Sequence, residues 1–598
     1  MRTSIATVCL SGGLTEKLHA CAAAGFDGVE IMEADLLAAF ESPEEIQALC
    51  RRLGLSIDMY QPLRDIEGVS TGLFEENLRR AEAKFELMER LGTRLVLLCS
   101  NVATATVADE TVAAAQLGAL ADLAAEHGIR IAYEALAWGR YVSDYRDAWR
   151  LVQLADRPNL GLCLDSFHIL SRGHDPSEIE SIDAEKLFFL QLADAPALDL
   201  DVLSWSRHHR LFPGEGAFDL VGFLGHVLRA GYDGPLSLEV FNDTFRQTDV
   251  RRTAQHAQRS LRWLADRAAA AGGWSTGRLA PAQPPLGVDF VEIAGQDLAA
   301  VDEMLDRLGF AFAGRHRSKP VRLWTAGDAS IILNEQDRGL EPRIAALGLL
   351  VADAEAAAEH ARGIGAPPVF RRISAGDQEL PAVFAPDGTE VYWADGPASA
   401  SWRAEFGGGL ASADGLLGIV DHVNLTSPWQ DFDETVLFGA GVLGLEAEAS
   451  SEVPGPLGLV RSVVMRSADG AVRLAMNLAP PAAPALPRHL AIRVDDAVAV
   501  ASAARQRGME FLPVPDNYYD DLAARFALDP AFGARLRGLG LLFDRDDAGA
   551  FIHGYTPTIG GVFLEIVQRI DDYRGYGATD APIRLAAQRV AALQLTSW

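Results

Sequence analysis

Residues 129–168 read IRIAYEALAWGRYVSDYRDAWRLVQLADRPNLGLCLDSFH. Two short apolar runs, one closing at Glu134 and the other at Asp165, have the length and character of buried strands. Between them, YRDAWRLVQLAD repeats its apolar residues at spacings of three and four, the period of a helix with one buried face. Strand, helix and strand in that order bring the second strand back parallel to the first. Both carboxylates then stand on one edge of the sheet.

The same alternation extends in both directions. SIATVCL, GVEIME, LSIDMY, RLVLLCS, IRIAYEA, LGLCLDS, LFFLQLAD and LSLEVFND are predicted strands, and helical segments such as GLTEKLHACAAAGF and TVAAAQLGALADLAAEHG separate them. Eight strands with intervening helices within residues 1–268 predict an α/β fold, a closed (β/α)8 TIM barrel. In such a barrel the C-terminal strand ends converge on one mouth. Gln191 near the end of LFFLQLAD and Glu239 near the end of LSLEVFND join Glu134 and Asp165 there. Three carboxylates brought together repel one another unless a cation sits among them. Oxygen-only ligation favours a hard divalent ion, Mg2+ or Mn2+, with Co2+ as a substitute.

Composition limits the partners. The formal charge of −29 over 598 residues disfavours nucleic acid and anionic membrane surfaces. No apolar run is long enough to span a bilayer, and MRTSIATVCLSGGLTEKL lacks the core of a signal peptide, so the chain is read as cytoplasmic. Cys9, Cys21, Cys50, Cys99 and Cys163 form no CxxC pair and are read as reduced packing residues. Composition leaves a homo-oligomer open.

Residues 269–286, with GGWSTGRLAPAQPPLG, read as a Gly/Pro-rich linker. Beyond it the chain repeats itself. VDFVEIAGQDLAAVDEMLDRLGF from 288 resembles VDHVNLTSPWQDFDETVLFGAGVLGL from 420, and LGLLVADAEAAAEHARGIGA from 347 resembles LAIRVDDAVAVASAARQRGM from 490. This is an internal duplication of strand–helix–strand units, with halves at 287–398 and 415–598 of a region spanning 287–598.

The first 268 residues resemble the sugar phosphate isomerase/epimerase-like barrels, whose metal is held by Glu, Asp, His or Gln, and Glu at these strand ends. More narrowly, YQPLRDIEG, LDSFHIL and RHHRLFPGEGAFDL are similar to the bacterial 3-dehydroshikimate dehydratases. That resemblance implies metal-dependent loss of water from 3-dehydroshikimate to give protocatechuate, in quinate and shikimate degradation. The sugar isomerases commonly place His where Gln191 stands, which favours the dehydratase branch. The alternative is a sugar isomerase or epimerase working through the same metal-stabilised enediolate. His168, three residues past Asp165, is the expected general base. Arg64 and Arg210 are the expected partners of the substrate carboxylate, and His208 and His209 lie in the same base-rich loop.

The duplicated region resembles the vicinal oxygen chelate fold, an α+β arrangement of βαβββ units, and is similar in layout to 4-hydroxyphenylpyruvate dioxygenase. The resemblance implies a second divalent metal, Mg2+ or Fe2+, on His422, His489 and Glu565. Laying the first half on the second puts Phe290, Ala346 and Tyr392 at those positions, so the first half is expected to be structural. Ser462 and Asn477 match further dioxygenase positions. Leu541 stands where the dioxygenases carry a substrate glutamine, and Asp580 and Ala581 where they carry an asparagine–phenylalanine gate. Those departures predict that the second half does not oxidise 4-hydroxyphenylpyruvate, leaving it a dioxygenase of another substrate or a non-catalytic module.

Overall fold

The computed structural model describes residues 1–598 apart from 275–276, 337–338, 340, 372, 408–414, 449, 481–486 and 597–598. It divides into two compact units, Met1–Leu279 and Ala280–Trp598.

In the first unit, β1 (Thr3–Ala6), β2 (Gly28–Met32), β3 (Ser56–Leu63), β4 (Leu95–Cys99), β5 (Arg130–Glu134), β6 (Leu160–Asp165), β7 (Leu187–Leu192) and β8 (Leu236–Leu238) close into a barrel. Every neighbouring pair is parallel, including β1 with β8. The helix after β5, Tyr145–Ala155, starts where the Asp144 side chain accepts the Arg146 N–H, and it buries Tyr145, Ala148, Leu151, Val152 and Ala155. That is one helical face turned to the strands. The final barrel helix, Val250–Gly272, is capped by Asp249 and runs past residue 268 before Gly273 ends it in the left-handed region.

Two apolar layers hold the barrel. The larger lies between strands and helices, with Ile5, Val29, Val96, Ile131 and Leu238 among its buried members. The smaller fills the interior, where Met59, Leu97, Cys99, Ala132, Cys163, Phe188 and Phe189 pack together. Each large side chain so buried contributes about 1.5–3 kcal/mol. The mouth is therefore built on a packed floor. All five cysteines are buried and free of disulfides.

The second unit carries two sheets, of seven and nine strands. Strand Gly287–Ala294, helix Ala299–Leu308 and three further strands are followed by strand Arg343–Leu350, helix Ala354–Ile364 and two more strands. The pattern repeats from Leu417–Ser427 with helix Phe432–Gly441, and from Arg488–Val494 with helix Ala497–Gln506. Residues 396–403, beside the expected joint between halves, form a helix, while 408–414 lie outside the described residues. Among the described residues no helix is long and apolar enough to cross a membrane.

Candidate functional site: two clusters of metal-ligating side chains

Glu134 ends β5, Asp165 ends β6, Gln191 lies one residue before the end of β7, and Glu239 follows β8 directly. Asp165 and Gln191 are register partners across neighbouring strands. All four are buried. Ligand atoms of Glu134, Asp165 and His168 lie within 4.8 Å of one another. Burial, then the charges of Glu239 and Asp165, push the Glu134 carboxyl well above its usual range, against Arg210. Burial pushes Glu239 up to about 7, with Arg210 lowering it and Asp165 raising it. Glu134 Oε1 is buried and accepts no hydrogen bond. A crowded, under-neutralised set of oxygens with one acceptor unused is what a divalent cation satisfies. The donor set therefore fits the expected metal.

Two thiols of the barrel floor support it. Cys99 Sγ approaches Glu134 Oε2 at 3.4 Å and Cys163 Sγ approaches Gln191 Oε1 at 3.5 Å. Burial holds both thiols well above their usual pKa, so they act as weak donors rather than as thiolates.

His168 is buried on the short helix that follows Asp165. Its Nδ1 accepts the Ala137 N–H at 3.2 Å, which turns Nε2 towards Asp165 Oδ2 at 3.6 Å and Glu134 Oε1 at 3.8 Å. Burial lowers its pKa to about 3, so the ring is neutral. Nε2 also lies 3.3 Å from Arg210 NH2, which can only donate, so a hydrogen-bond donor faces each ring nitrogen.

Arg210 is placed differently from the sequence expectation. It is 1% exposed, and NH1 donates to Asp165 Oδ2 at 2.8 Å, to Glu239 Oε2 at 3.2 Å and to the Glu239 carbonyl at 3.0 Å. Ser206 Oγ takes Nε and NH2. Its fork is thus engaged by the carboxylates of the cluster rather than held open for a substrate. A small cavity at the mouth is lined by Arg64, Glu134, Trp138, His168, Arg207, Arg210 and Glu239. Arg64 and Arg207 are exposed there, and burial, then the charges of Arg64 and Arg210, lower the Arg207 pKa. Arg207 escaped the sequence reading, which weighed its neighbours. His208 instead pairs with Asp243 near the surface, and His209 is exposed.

The second cluster lies in the latter half of unit two. His422 Nε2 and His489 Nε2 stand 3.2 and 3.1 Å from Glu565 Oε2. His422 Nδ1 faces Asp421 Oδ1 at 2.9 Å, and Arg569 grips both oxygens of Asp421 at 2.8 Å. This fixes the ring with Nε2 towards the cluster. Burial alone would raise the Glu565 pKa, but hydrogen bonds from His422, His489 and His553 hold it well below the usual range. The set fits a two-histidine, one-carboxylate metal site.

His553 was missed in the sequence. It sits on strand Gly549–Tyr555, next to the Glu565 strand, with Nδ1 2.8 Å from Glu565 Oε1 and Nε2 3.1 Å from Asp580 Oδ2. Its signal was a lone histidine in the apolar run AFIHGY, indistinguishable by pattern from a packing residue. Asp580 is thus a buried partner of this network, also bonded by Tyr518 OH at 3.2 Å. Leu541 is fully buried, Ala581 begins the last helix, and Ser462 pairs with Asn477 across two strands.

Strand register bears on the internal comparison. Asn424 pairs with His489 and Ala491 with Glu565; in the first half Glu292 pairs with Ala346 and Gly348 with Tyr392. His422 and Phe290 correspond by the same step, opposite Ala491 and Gly348. Phe290, Ala346 and Tyr392 therefore occupy the three ligand positions. That half nonetheless contains a cavity of about 700 Å³, whose lining shares no residue with either cluster. Among the charged groups around it, Arg371 bonds Glu292 and Glu390, His316 bonds Glu405, and Lys319 and Arg317 pair with Asp377.

Comparisons with known proteins agree with this division. Residues 18–267 match the xylose isomerase-like TIM barrel family, 283–400 the N-terminal hydroxyphenylpyruvate dioxygenase family, and 419–537 the glyoxalase/bleomycin resistance protein/dioxygenase superfamily. A 3-dehydroshikimate dehydratase of Pseudomonas aeruginosa is 44% identical, covering 99% of each chain. One from Pseudomonas putida is 42% identical over 99% of this chain and 98% of its own. A solved xylose isomerase-like TIM barrel/4-hydroxyphenylpyruvate dioxygenase fusion protein superposes with a TM-score of 0.89 at 41% identity, covering 98% of this chain and 99% of that one.

Proposed function

The chain belongs to the family of 3-dehydroshikimate dehydratases in which an isomerase-like barrel is joined to a dioxygenase-like half, and from that premise we propose how its residues share the work. The activity is that of a hydro-lyase, converting 3-dehydroshikimate into protocatechuate and water. Carrying the reading is the convergence of Glu134, Asp165, Gln191 and Glu239 at one barrel mouth, with an unmet carboxylate oxygen among them.

These four side chains would hold a divalent ion, Mg2+, Mn2+ or Co2+, which supplies Lewis-acid polarisation of the substrate's ketone oxygen. The chain's own groups do the rest. His168 handles the proton at Nε2. With Nε2 bare, the form that Arg210 NH2 meets at 3.3 Å, the neutral ring takes the proton α to the ketone and becomes an imidazolium. That imidazolium gives the same proton to the departing hydroxyl, which leaves as water and restores the neutral ring. Trp138 meets the imidazole edge-on at 5.0 Å and helps keep the ring in its plane. Arg64 and Arg207, exposed on the mouth, bind the substrate carboxylate. Arg210 orients Asp165 and Glu239, and its NH2 lies 3.3 Å from His168 Nε2.

The second cluster would hold a further divalent ion, Mg2+ or Fe2+, on His422, His489 and Glu565. The buried network of His553, Asp580 and Tyr518 beside it differs from the substrate contacts expected of a 4-hydroxyphenylpyruvate dioxygenase, which supports a different role for this half. The test of the barrel's activity is direct: purified chain, 3-dehydroshikimate and Mn2+ or Mg2+ should give the ultraviolet absorbance of protocatechuate, and a chelator should stop it. Absence of that product with every divalent ion tried would reject the reading in favour of an isomerase or epimerase.

A further inference from the structure

Beneath the four ligand candidates lies another acid. Glu30, in the middle of β2, is fully buried, and its Oε2 accepts Gln61 Nε2 at 2.8 Å and Gln191 Nε2 at 2.7 Å. Its Oε1 accepts the Ser237 hydroxyl. Gln61 also lies close enough to the Glu239 side chain to lower its pKa. An amide side chain has one end that can ligate a cation and another, the NH2, that repels it. A carboxylate can only accept from such an amide by its N–H, so Glu30 decides which end of Gln191 it faces. The oxygen is then the end left towards Cys163 Sγ, 3.5 Å away.

We propose that Glu30 is a positioning residue for the barrel metal: by accepting from both amides it keeps the Gln191 oxygen, rather than its nitrogen, available to the cation, and steadies Gln61 against Glu239. This rests on Gln191 being a metal ligand. A buried acid at this position costs desolvation, which raises its pKa well above the usual range, and the donors that converge on it offset part of that cost. Two of the three come from the strands that carry Gln191 and precede Glu239.

The test is Mn2+ binding, followed by the electron paramagnetic resonance of the free ion, on the full chain carrying His489→Ala so that the barrel dominates the titration. Glu30→Met removes the acceptors at nearly constant volume and should weaken binding about 10–100-fold, the usual cost of losing a group that orients a ligand. Glu30→Met/Gln191→Glu should recover most of that loss, because a carboxylate offers oxygen at either end. Glu30→Gln, which keeps an acceptor oxygen, should bind more tightly than Glu30→Met. Glu30→Met binding as well as the parent, the double variant staying as weak as Glu30→Met, or Glu30→Gln falling as far, would each overturn the inference. Gln191→Ala separates the underlying reading: unchanged affinity there removes Gln191 as a ligand, and Glu30's role with it. Circular dichroism reports folding of each variant, and Glu30→Leu takes the place of Glu30→Met should the latter not fold.

Discussion

Replacing Arg210 by Met takes a fully buried cation away from Asp165 and Glu239, at 2.8 and 3.2 Å, and leaves Glu134, Asp165 and Glu239 facing one another without it. Breaking a buried ion pair by removing one partner costs about 3–5 kcal/mol. Glu239, already pushed up to about 7, can take a proton and relieve part of this, so the lower end applies. At roughly 2–4 °C per kcal/mol for a domain of this size, a loss of ~3 kcal/mol lowers the barrel transition by ~6–12 °C. The loss depends on pH. A carboxyl raised in the folded state binds its proton more tightly there than when unfolded, so stability is highest below the unfolded pKa and falls as pH rises through the folded one. The metal-free variant should therefore melt further below wild type at about pH 8 than at about pH 5.5. Mn2+ should narrow the gap, because a bound cation replaces part of the missing charge and stabilises the folded form by mass action. Scanning calorimetry of the chelator-stripped proteins measures all three. An unchanged barrel transition at the higher pH, or a larger loss at the lower one, would refute the electrostatic argument.

Other substitutions separate the remaining roles. His168→Ala should lower kcat at least about 100-fold while metal binding persists, and loss of metal with the mutation would make it a ligand instead. Arg64→Ala and Arg207→Ala should each raise KM for the anionic substrate with smaller effects on kcat, and an unchanged KM in both would remove them from the site. His422→Ala, His489→Ala and Glu565→Ala should each empty the second metal site and leave the barrel's metal in place, as metal analysis would report. The wild type should take up no oxygen with 4-hydroxyphenylpyruvate; uptake lost in His422→Ala would show a second, oxidative activity.

The strands, helices and duplication were legible because each is written locally: apolar runs, spacings of three and four, and two stretches that repeat. Glu134, Asp165 and Gln191 were visible for the same reason, as polar residues closing apolar runs at a barrel mouth. The layer behind them was not. Glu30 and Gln191 are 161 residues apart, and nothing in GVEIME distinguishes an inward acid from the polar face of a strand. Arg210 was recognised as important but assigned to the substrate, since its bond to Asp165, 45 residues away, exists only once β6 and the loop after β7 meet. His553 illustrates the opposite hazard: its partner Glu565 is 12 residues on, in the adjacent strand, yet the apolar surroundings disguised it as core.

The most direct measurement is a titration of the metal-free enzyme with Mn2+, following protocatechuate formation and metal occupancy together in the wild type, in Glu134→Ala and in the His489→Ala chain. Turnover should rise in step with filling of a single site in His489→Ala, and neither binding at that site nor turnover should appear in Glu134→Ala. Full turnover in the chelator-treated wild type, or in Glu134→Ala, would contradict a dehydratase built on these carboxylates.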